Sequence, residues 1–324
     1  MRKNIRRSIL APVVVVAAAT AILPAAARAE EGGSGHYTPG QNATSIDTLP
    51  EREGFSFFSD SFYYNGSITG KKSPIELGGL VARNVEASYY VETGRVLYEG
   101  PGEILGADYG LELAVPWVSM NVKGTVTTGT TTTRKVSDGT QGLGDIYFRP
   151  LMLSWNHEDL KWGAMFTVYA PTGNYAVSHL ANVGKNYWTF EPGVSFTYLG
   201  SDNGLEIDAF AGMDFNTRNN DTEYTSGDQF HLDATLAKHL PLFGGDFSFG
   251  ATGFYYEQFT SDSGSGFHIT KPNFGRASGI GPVFAYTRKL GKVDAAAEFK
   301  WLPDITAANR LSGDGFWLKV QFNF

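Results

Sequence analysis

Three side chains in one stretch have the types and spacing of a metal or acid–base site. His231 and Asp233 stand two residues apart, and His239 follows at the same parity. On a β-strand alternate side chains share a face, so all three would project to one side. Two imidazoles and a carboxylate could hold a divalent cation. Polar residues line any wet face, however, and the sequence reading assigns no metal, no cofactor and no catalytic residue. A second candidate, Asp262-Ser263-Gly264, has the residue order of a serine-protease turn. It stands in a Gly/Ser-rich segment and is read as a plain loop.

Other chemistry is excluded more directly. There is no cysteine, hence no disulfide, thiolate metal site or cysteine nucleophile. No G-x-S-x-G, GxGxxG, P-loop or H-E-x-x-H motif occurs. The formal charge of −7 argues against nucleic acid, which needs a basic footprint. Charged residues are 18% of the chain, against roughly 25% in ordinary soluble domains. A mean hydropathy of −0.19 disfavours a helical membrane protein but not a transmembrane barrel, whose strands alternate apolar and polar residues.

The elements that would carry these residues begin after a targeting segment. Arg2, Lys3, Arg6 and Arg7 form a basic head, an uncharged stretch follows from Ser8 to Ala27, and Ala27-Arg28-Ala29 is a small-x-small site before Glu30. Residues 1–29 are therefore expected to be a cleaved signal peptide. Its removal takes five basic and no acidic residues, leaving −12 on the mature chain. Residues 30–54, rich in Gly, Ser, Pro, Asn and Thr, read as a flexible leader or as a plug lying in a lumen. No later stretch offers the run of about 18 apolar residues that a membrane helix needs.

From residue 55 to 324 the period is two. Phe316, Leu318, Val320, Phe322 and Phe324 alternate with Trp317, Lys319, Gln321 and Asn323. Ile207, Ala209, Ala211 and Met213 alternate with Glu206, Asp208, Phe210 and Asp214, and Phe299 and Trp301 flank Glu298 and Lys300. Twelve such strands are predicted, at 55–65, 84–99, 104–126, 144–156, 160–171, 186–199, 205–216, 228–240, 246–259, 275–289, 292–303 and 313–324. Their connections alternate between long (66–83, 127–143, 172–185, 217–227, 260–274) and short (100–103, 157–159, 200–204, 241–245, 290–291). A soluble sandwich has no reason for that parity, whereas an up-and-down membrane barrel has short turns on one side and longer loops on the other. The expected fold is all-β, an antiparallel up-and-down transmembrane β-barrel of about twelve strands. Trp155, Trp162, Trp188, Trp301 and Trp317, with Tyr169, Tyr187 and Tyr198, are expected in its aromatic girdles. Pro116, Pro150, Pro192 and Pro282 fall inside strands and should mark bulges, most clearly at Glu191-Pro192-Gly193 and Gly279-Ile280-Gly281-Pro282.

Several short motifs carry a further likeness: Gly142-Leu143-Gly144-Asp145-Ile146, Ala170-Pro171-Thr172-Gly173, Asn186-Tyr187-Trp188-Thr189, Tyr224-Thr225-Ser226-Gly227, Trp301-Leu302-Pro303 and the closing Phe324. In their order and spacing the chain resembles the outer-membrane transporter family named for the meta-pathway of phenol degradation. The resemblance implies a barrel in the outer membrane of a Gram-negative bacterium, linked to passage of hydrophobic aromatic compounds.

Within such a barrel Glu191, Glu206, Asp208, Asp214, His231, Asp233, Asp294, Glu298, Lys300 and Lys319 would line the lumen. Their acidic excess gives a field that disfavours anions, unless the charges pair across the bore. Twelve strands lie between the eight that side chains fill and the sixteen or more that leave an open pore. An outer-membrane lipase would need a Ser-His-Asn set at the lipid face, and these histidines fall on the opposite one, so no enzyme is read. The expected function is passive uptake of small, hydrophobic aromatic solutes, with a sealed structural or adhesive barrel as the alternative. The partners expected are outer-membrane lipids, the small solutes and the barrel-assembly machinery, which would read the alternation from Phe316 to Phe324. The oligomeric state is left open.

Overall fold

A computed structural model of the chain describes residues 33–47, 53–68, 74–128, 132–264 and 274–324. The expected signal peptide, with Ala27, Ala29 and Glu30 at its cleavage site, lies outside the described residues. A 3-10 turn (Ser45–Asp47) precedes strands β1 (Gly54–Ile68), β2 (Ile75–Leu77), β3 (Leu80–Ile104), β4 (Ala107–Thr128), β5 (Thr132–Leu143), β6 (Tyr147–His157), β7 (Leu160–Tyr169) and β8 (Thr189–Leu199). They continue as β9 (Leu205–Asn216), β10 (Tyr224–Thr225), β11 (Gln229–Leu242), β12 (Gly245–Gln258), β13 (Ser263–Gly264), β14 (Arg276–Leu290), β15 (Val293–Ala308) and β16 (Ser312–Asn323).

The main sheet runs β2-β3-β1-β16-β15-β14-β12-β11-β9-β8-β7-β6-β4-β5, and β3 also pairs with β4, which closes it. β1 thus has a partner on each side: Tyr63 stands opposite Tyr90 of β3 and Phe316 of β16. Closure removes the open edges that an alternating strand would otherwise present. β5 and β6 share one place in the wall, since β5 pairs with β4 from Trp117 outward and β6 pairs with it from Ala114 inward. The result is a closed antiparallel barrel of twelve strands. Residues 127–143, expected as a loop, are corrected by this pairing: β4 and β5 carry the hairpin on, with Thr133 to Leu143 in unbroken register.

The prolines sit where the ladder is interrupted. Pro116 lies opposite the junction of β5 and β6, and its carbonyl accepts from Gly144 N at 2.9 Å, so its missing N–H faces the junction. Register shifts on both sides of β6 bracket Pro150. Another shift falls between Ser278 and Gly279, and after Gly279 opposite Asp304 the β14–β15 pairing is next made at Val283. At Glu191-Pro192 the expected bulge is absent: the β8–β9 register is the same before and after a two-residue interruption.

Alternation sets two faces. Outward stand Phe57, Leu113, Val194, Leu236, Ile280 and Leu318, each with roughly half its surface exposed, an apolar band that only lipid would cover. Phe55, Phe57 and Phe324 cluster at the turn end, and Tyr63, Phe316 and Trp301 form a second row six residues further along β1, about 20 Å at the strand rise. Trp155 and Trp162 pair across β6 and β7, and Trp162 and Trp188 face outward. Trp317, Tyr169 and Tyr187 are buried, which corrects their assignment to girdles: their parity is that of the inner face. The C-terminal set Phe316, Leu318, Val320, Phe322 and Phe324 has the outward parity throughout. Gln321 is buried with the inner face and bonds Asn323 at 2.7 Å.

A charge at Leu318 or Val320 therefore enters the lipid band. Leu318→Arg or Val320→Arg is expected to cost about 2–4 kcal/mol, while Asp202→Arg on an exposed turn stays within about 0.5 kcal/mol. Urea unfolding in detergent or lipid reads the difference, and equal losses at all three sites would contradict the lipid-facing assignment of Leu318 and Val320.

Candidate functional site

The inner face divides into two zones along the axis. Toward the loop end, β1, β3 and β4 turn in Phe62, Tyr64, Val85, Ala87, Val122 and Val126, joined by Leu302 and Trp317 from β15 and β16. Phe62 and Trp317 pack with ring centroids 4.4 Å apart. Deeper, the same strands turn in charge. Arg95 binds Asp60 at 2.6 Å and Glu112 at 3.0 Å, and Arg149 binds the other oxygen of Glu112 at 3.0 Å. On β15, Lys300 pairs with Glu298 two residues away on the same face, at 3.0 Å.

Residues 33–47 run through this belt. Asp233 accepts from Tyr37 Oη at 2.5 Å and from the backbone N–H groups of Gly40 at 3.2 Å and Asn42 at 3.1 Å. Lys300 donates to Gly40 O at 3.0 Å, Lys319 to Gln41 O at 2.6 Å and Trp317 Nε1 to Pro39 O at 2.9 Å. Arg149 donates to Asn42 Oδ1 at 3.3 Å and Gln41 to Tyr147 Oη at 3.0 Å. Asp47 closes the segment, accepting from Lys319 at 2.7 Å. Gly40 has φ +78°, and a Cβ there would lie 2.1 Å from Leu302 Cδ1. Only glycine fits that turn between backbone and wall.

Every lumen residue proposed from sequence has the inner parity. Asp233, Lys300 and Lys319 converge on residues 39–42. Glu191, Asp214 and His231 lie together on β8, β9 and β11, with His231 Nε2 3.6 Å from Asp214 and 3.8 Å from Glu191. His239 is elsewhere, bonded to Glu206 and Asp246 near the turn end, so it shares the face of His231 without meeting it. Asp208 is buried in register with Thr197, and Asp294 is half-buried opposite Asn323. Of the two lumen readings, hydrated or charge-paired, the described side chains fit the paired one at this depth: Glu298, Lys300 and Lys319 are at most 1% exposed and ion-paired. Asp262 accepts from Gly227 N and Gln258 Nε2, both at 2.6 Å, and only fixes loops.

Sequence reasoning missed Asp145. It accepts from Gly173 N at 2.8 Å, Lys185 N at 2.6 Å and His36 Nε2 at 3.0 Å, and His36 also meets Thr189 Oγ1 at 2.7 Å. Gly173 and Gly184 pack backbone to backbone, with no room for a Cβ on either. The quoted Gly142–Ile146, Ala170–Gly173 and Asn186–Thr189 motifs thus meet at one anchor for the N-terminal segment. Their glycines were the available signal. Above that anchor lies a cavity of about 150 Å³ between Tyr37, Phe62, Tyr89, Met120, Tyr147 and Trp317. It adjoins a second, of about 60 Å³, through Tyr89 and Met120.

With this geometry established, comparison with known proteins places the chain. The family model described as "Putative MetA-pathway of phenol degradation" matches residues 69–320. The chain belongs to that family. No curated protein matches by sequence. Among solved structures, the COG4313 outer membrane channel from Pseudomonas putida F1 is similar, with TM-score 0.56, 15% identity, 88% of this chain and 98% of that one covered. At that identity the likeness is one of fold, an outer-membrane β-barrel. The NalP translocator domain from Neisseria meningitidis (TM-score 0.46, 11% identity, 85% and 90% covered) and the Bordetella BrkA β-domain (0.45, 10%, 83% and 99%) are more distant.

Asp47 gives the clamp a defined pH dependence. Burial alone would raise its carboxyl, but Lys319, Lys300 and Arg95 outweigh that and hold it at about 2. A depressed carboxylate contributes stability above its unfolded value near 3.8 and loses it as pH falls through about 2. Ion conductance of wild-type protein in planar bilayers is therefore expected to be insensitive to Asp47 from pH 7 down to 4. Asp47→Asn removes the charge at every pH and takes from the buried Lys319 ammonium its nearest carboxylate, at a cost of about 3–5 kcal/mol. That variant should conduct more at pH 7, and unchanged conductance would show that the clamp does not limit flow.

Proposed function

We propose that this family member is an outer-membrane channel for passive entry of small, hydrophobic aromatic compounds. The observation that carries the reading is the split lumen. The loop-side zone offers a solute aromatic and aliphatic walls, in Phe62, Tyr89, Val91, Met120 and Trp317, with Ser34 to Thr38 along one side, whereas the belt beneath is charged and filled by Gly40 to Asp47. Sites for small apolar ligands have such walls with a few polar groups among them, here Asp60, Tyr147 and Asp145. Hydrophilic ions meet a low-dielectric mouth followed by charges already paired, which suits neither their dehydration nor their passage. The family assignment and the shared outer-membrane fold agree with this reading, as does the expected export signal.

A passive channel lowers a barrier and stores no energy. A deletion strain is expected to grow more slowly on a low concentration of an aromatic carbon source and normally on a high one. Phe62→Asp or Met120→Asp, placing charge in the apolar mouth, should reproduce the low-concentration defect while the protein still reaches the membrane. Growth equal to the parent under both conditions, with no uptake of phenols into proteoliposomes, would favour a sealed structural barrel instead.

A further inference from the structure

We infer that Glu191, Asp214 and His231 form a binding site for a divalent transition-metal ion, buried in the barrel wall beneath the N-terminal segment. The first argument is electrostatic. The register that pairs Phe190 with Phe215 and Gly193 with Gly212 sets Glu191 directly opposite Asp214. Both are at most 1% exposed. Like charges opposite one another across a ladder are unfavourable even at a surface, and in a dry interior they need a counter-charge. Arg149 does not supply it alone, being bonded to Glu112, Thr167 and Asn42.

The second argument is the unfilled bonding capacity. Glu191 accepts from Tyr169 Oη at 3.0 Å and Thr167 Oγ1 at 3.4 Å. Neither carboxylate oxygen of Asp214 and neither ring nitrogen of His231 has a hydrogen-bond partner, although both residues are fully buried. Buried polar atoms are nearly always satisfied. One ligand atom from each of the three residues lies within 4.8 Å of the other two. His231 Nε2 stands 3.6 Å from Asp214 and 3.8 Å from Glu191, too far for hydrogen bonds but close to the ~3.4 Å between neighbouring ligands of a tetrahedral ion with bonds of about 2.1 Å. An ion between them would use the free atoms of Asp214 and His231 and the second lone pair of Glu191 Oε2, the oxygen that Tyr169 orients by its hydrogen bond.

The surroundings are shaped for the imidazole. Tyr37 stacks on His231 with ring centroids 4.0 Å apart. A Cβ on Gly212 would lie 2.5 Å from His231 Cε1, and one on Gly193 would lie 2.6 Å from Phe210 Cζ, so both glycines keep space open for the rings. One imidazole and two carboxylates, with no thiolate, suit zinc or manganese rather than copper(I). The net charge of −2 with a neutral imidazole matches a divalent ion. Because Tyr37 also bonds Asp233, a bound ion would tie the wall to the segment that fills the lumen.

The test uses full-length mature protein folded in detergent, stripped with chelator and titrated with zinc in a calorimeter. One equivalent is expected to bind, with an excess of calcium unable to displace it. Asp214→Asn and His231→Gln should each weaken binding by about 100-fold or more, beyond the roughly 10–100-fold typical of losing a mere supporting residue, while Asp202→Asn leaves it unchanged. No binding by the folded wild type, or equal affinity in all the variants, would overturn the proposal. Should either variant misfold, zinc-soaked crystals of the wild type decide: an anomalous peak between His231 Nε2 and the two carboxylates supports the site, and its absence there refutes it.

Discussion

A charge drawn out of water costs several kcal/mol unless a partner meets it at close range, and this barrel turns many charges inward. Lys300 and Lys319 are fully buried, as are Asp233 and Glu298. The twelve wall strands supply only part of the compensation. The rest comes from residues 33–47, whose carbonyl groups accept from the two lysines and whose N–H groups and Tyr37 donate to Asp233. Wall and segment are thus mutually dependent: without the segment Asp233 and Lys319 lose their partners at short range, and without the belt the segment has no reason to enter a barrel.

That dependence explains why the lumen is divided. Where Gly40 to Asp47 run, the inner face is charged and closed. Along Ser34 to His36, toward the loop end and the anchor Asp145, the inner face becomes aromatic and aliphatic and cavities open between segment and wall. A uniformly polar bore would need no such division. The functional reading rests on the contrast between the two zones.

The sequence made the wall legible because a strand's period of two is a direct consequence of backbone geometry. The alternation from Phe316 to Phe324 and from Glu206 to Asp214 assigns inside and outside residue by residue. It was less informative where a strand is interrupted. The β5–β6 break at Gly144–Ile146 and the unchanged register past Pro192 depend on neighbouring strands that composition does not name. The trio of Glu191, Asp214 and His231 was hidden for the same reason. Its members come from three strands, and only their register brings them together, whereas His231 and His239 share a face but are separated along it. The N-terminal segment was read as either loose or inserted because it has no apolar period of its own; its order comes from hydrogen bonds to distant side chains.

The central claim is that residues 33–47 are held inside the barrel by that pairing. The chain has no native cysteine, so a single cysteine reports cleanly. Ile46 is buried at 5% exposure within the segment. Labelling of Ile46→Cys protein in liposomes with a membrane-impermeant maleimide tests the claim directly. The account predicts reaction far slower than in the same protein unfolded by heat in detergent; labelling at the unfolded rate in the intact barrel would contradict it.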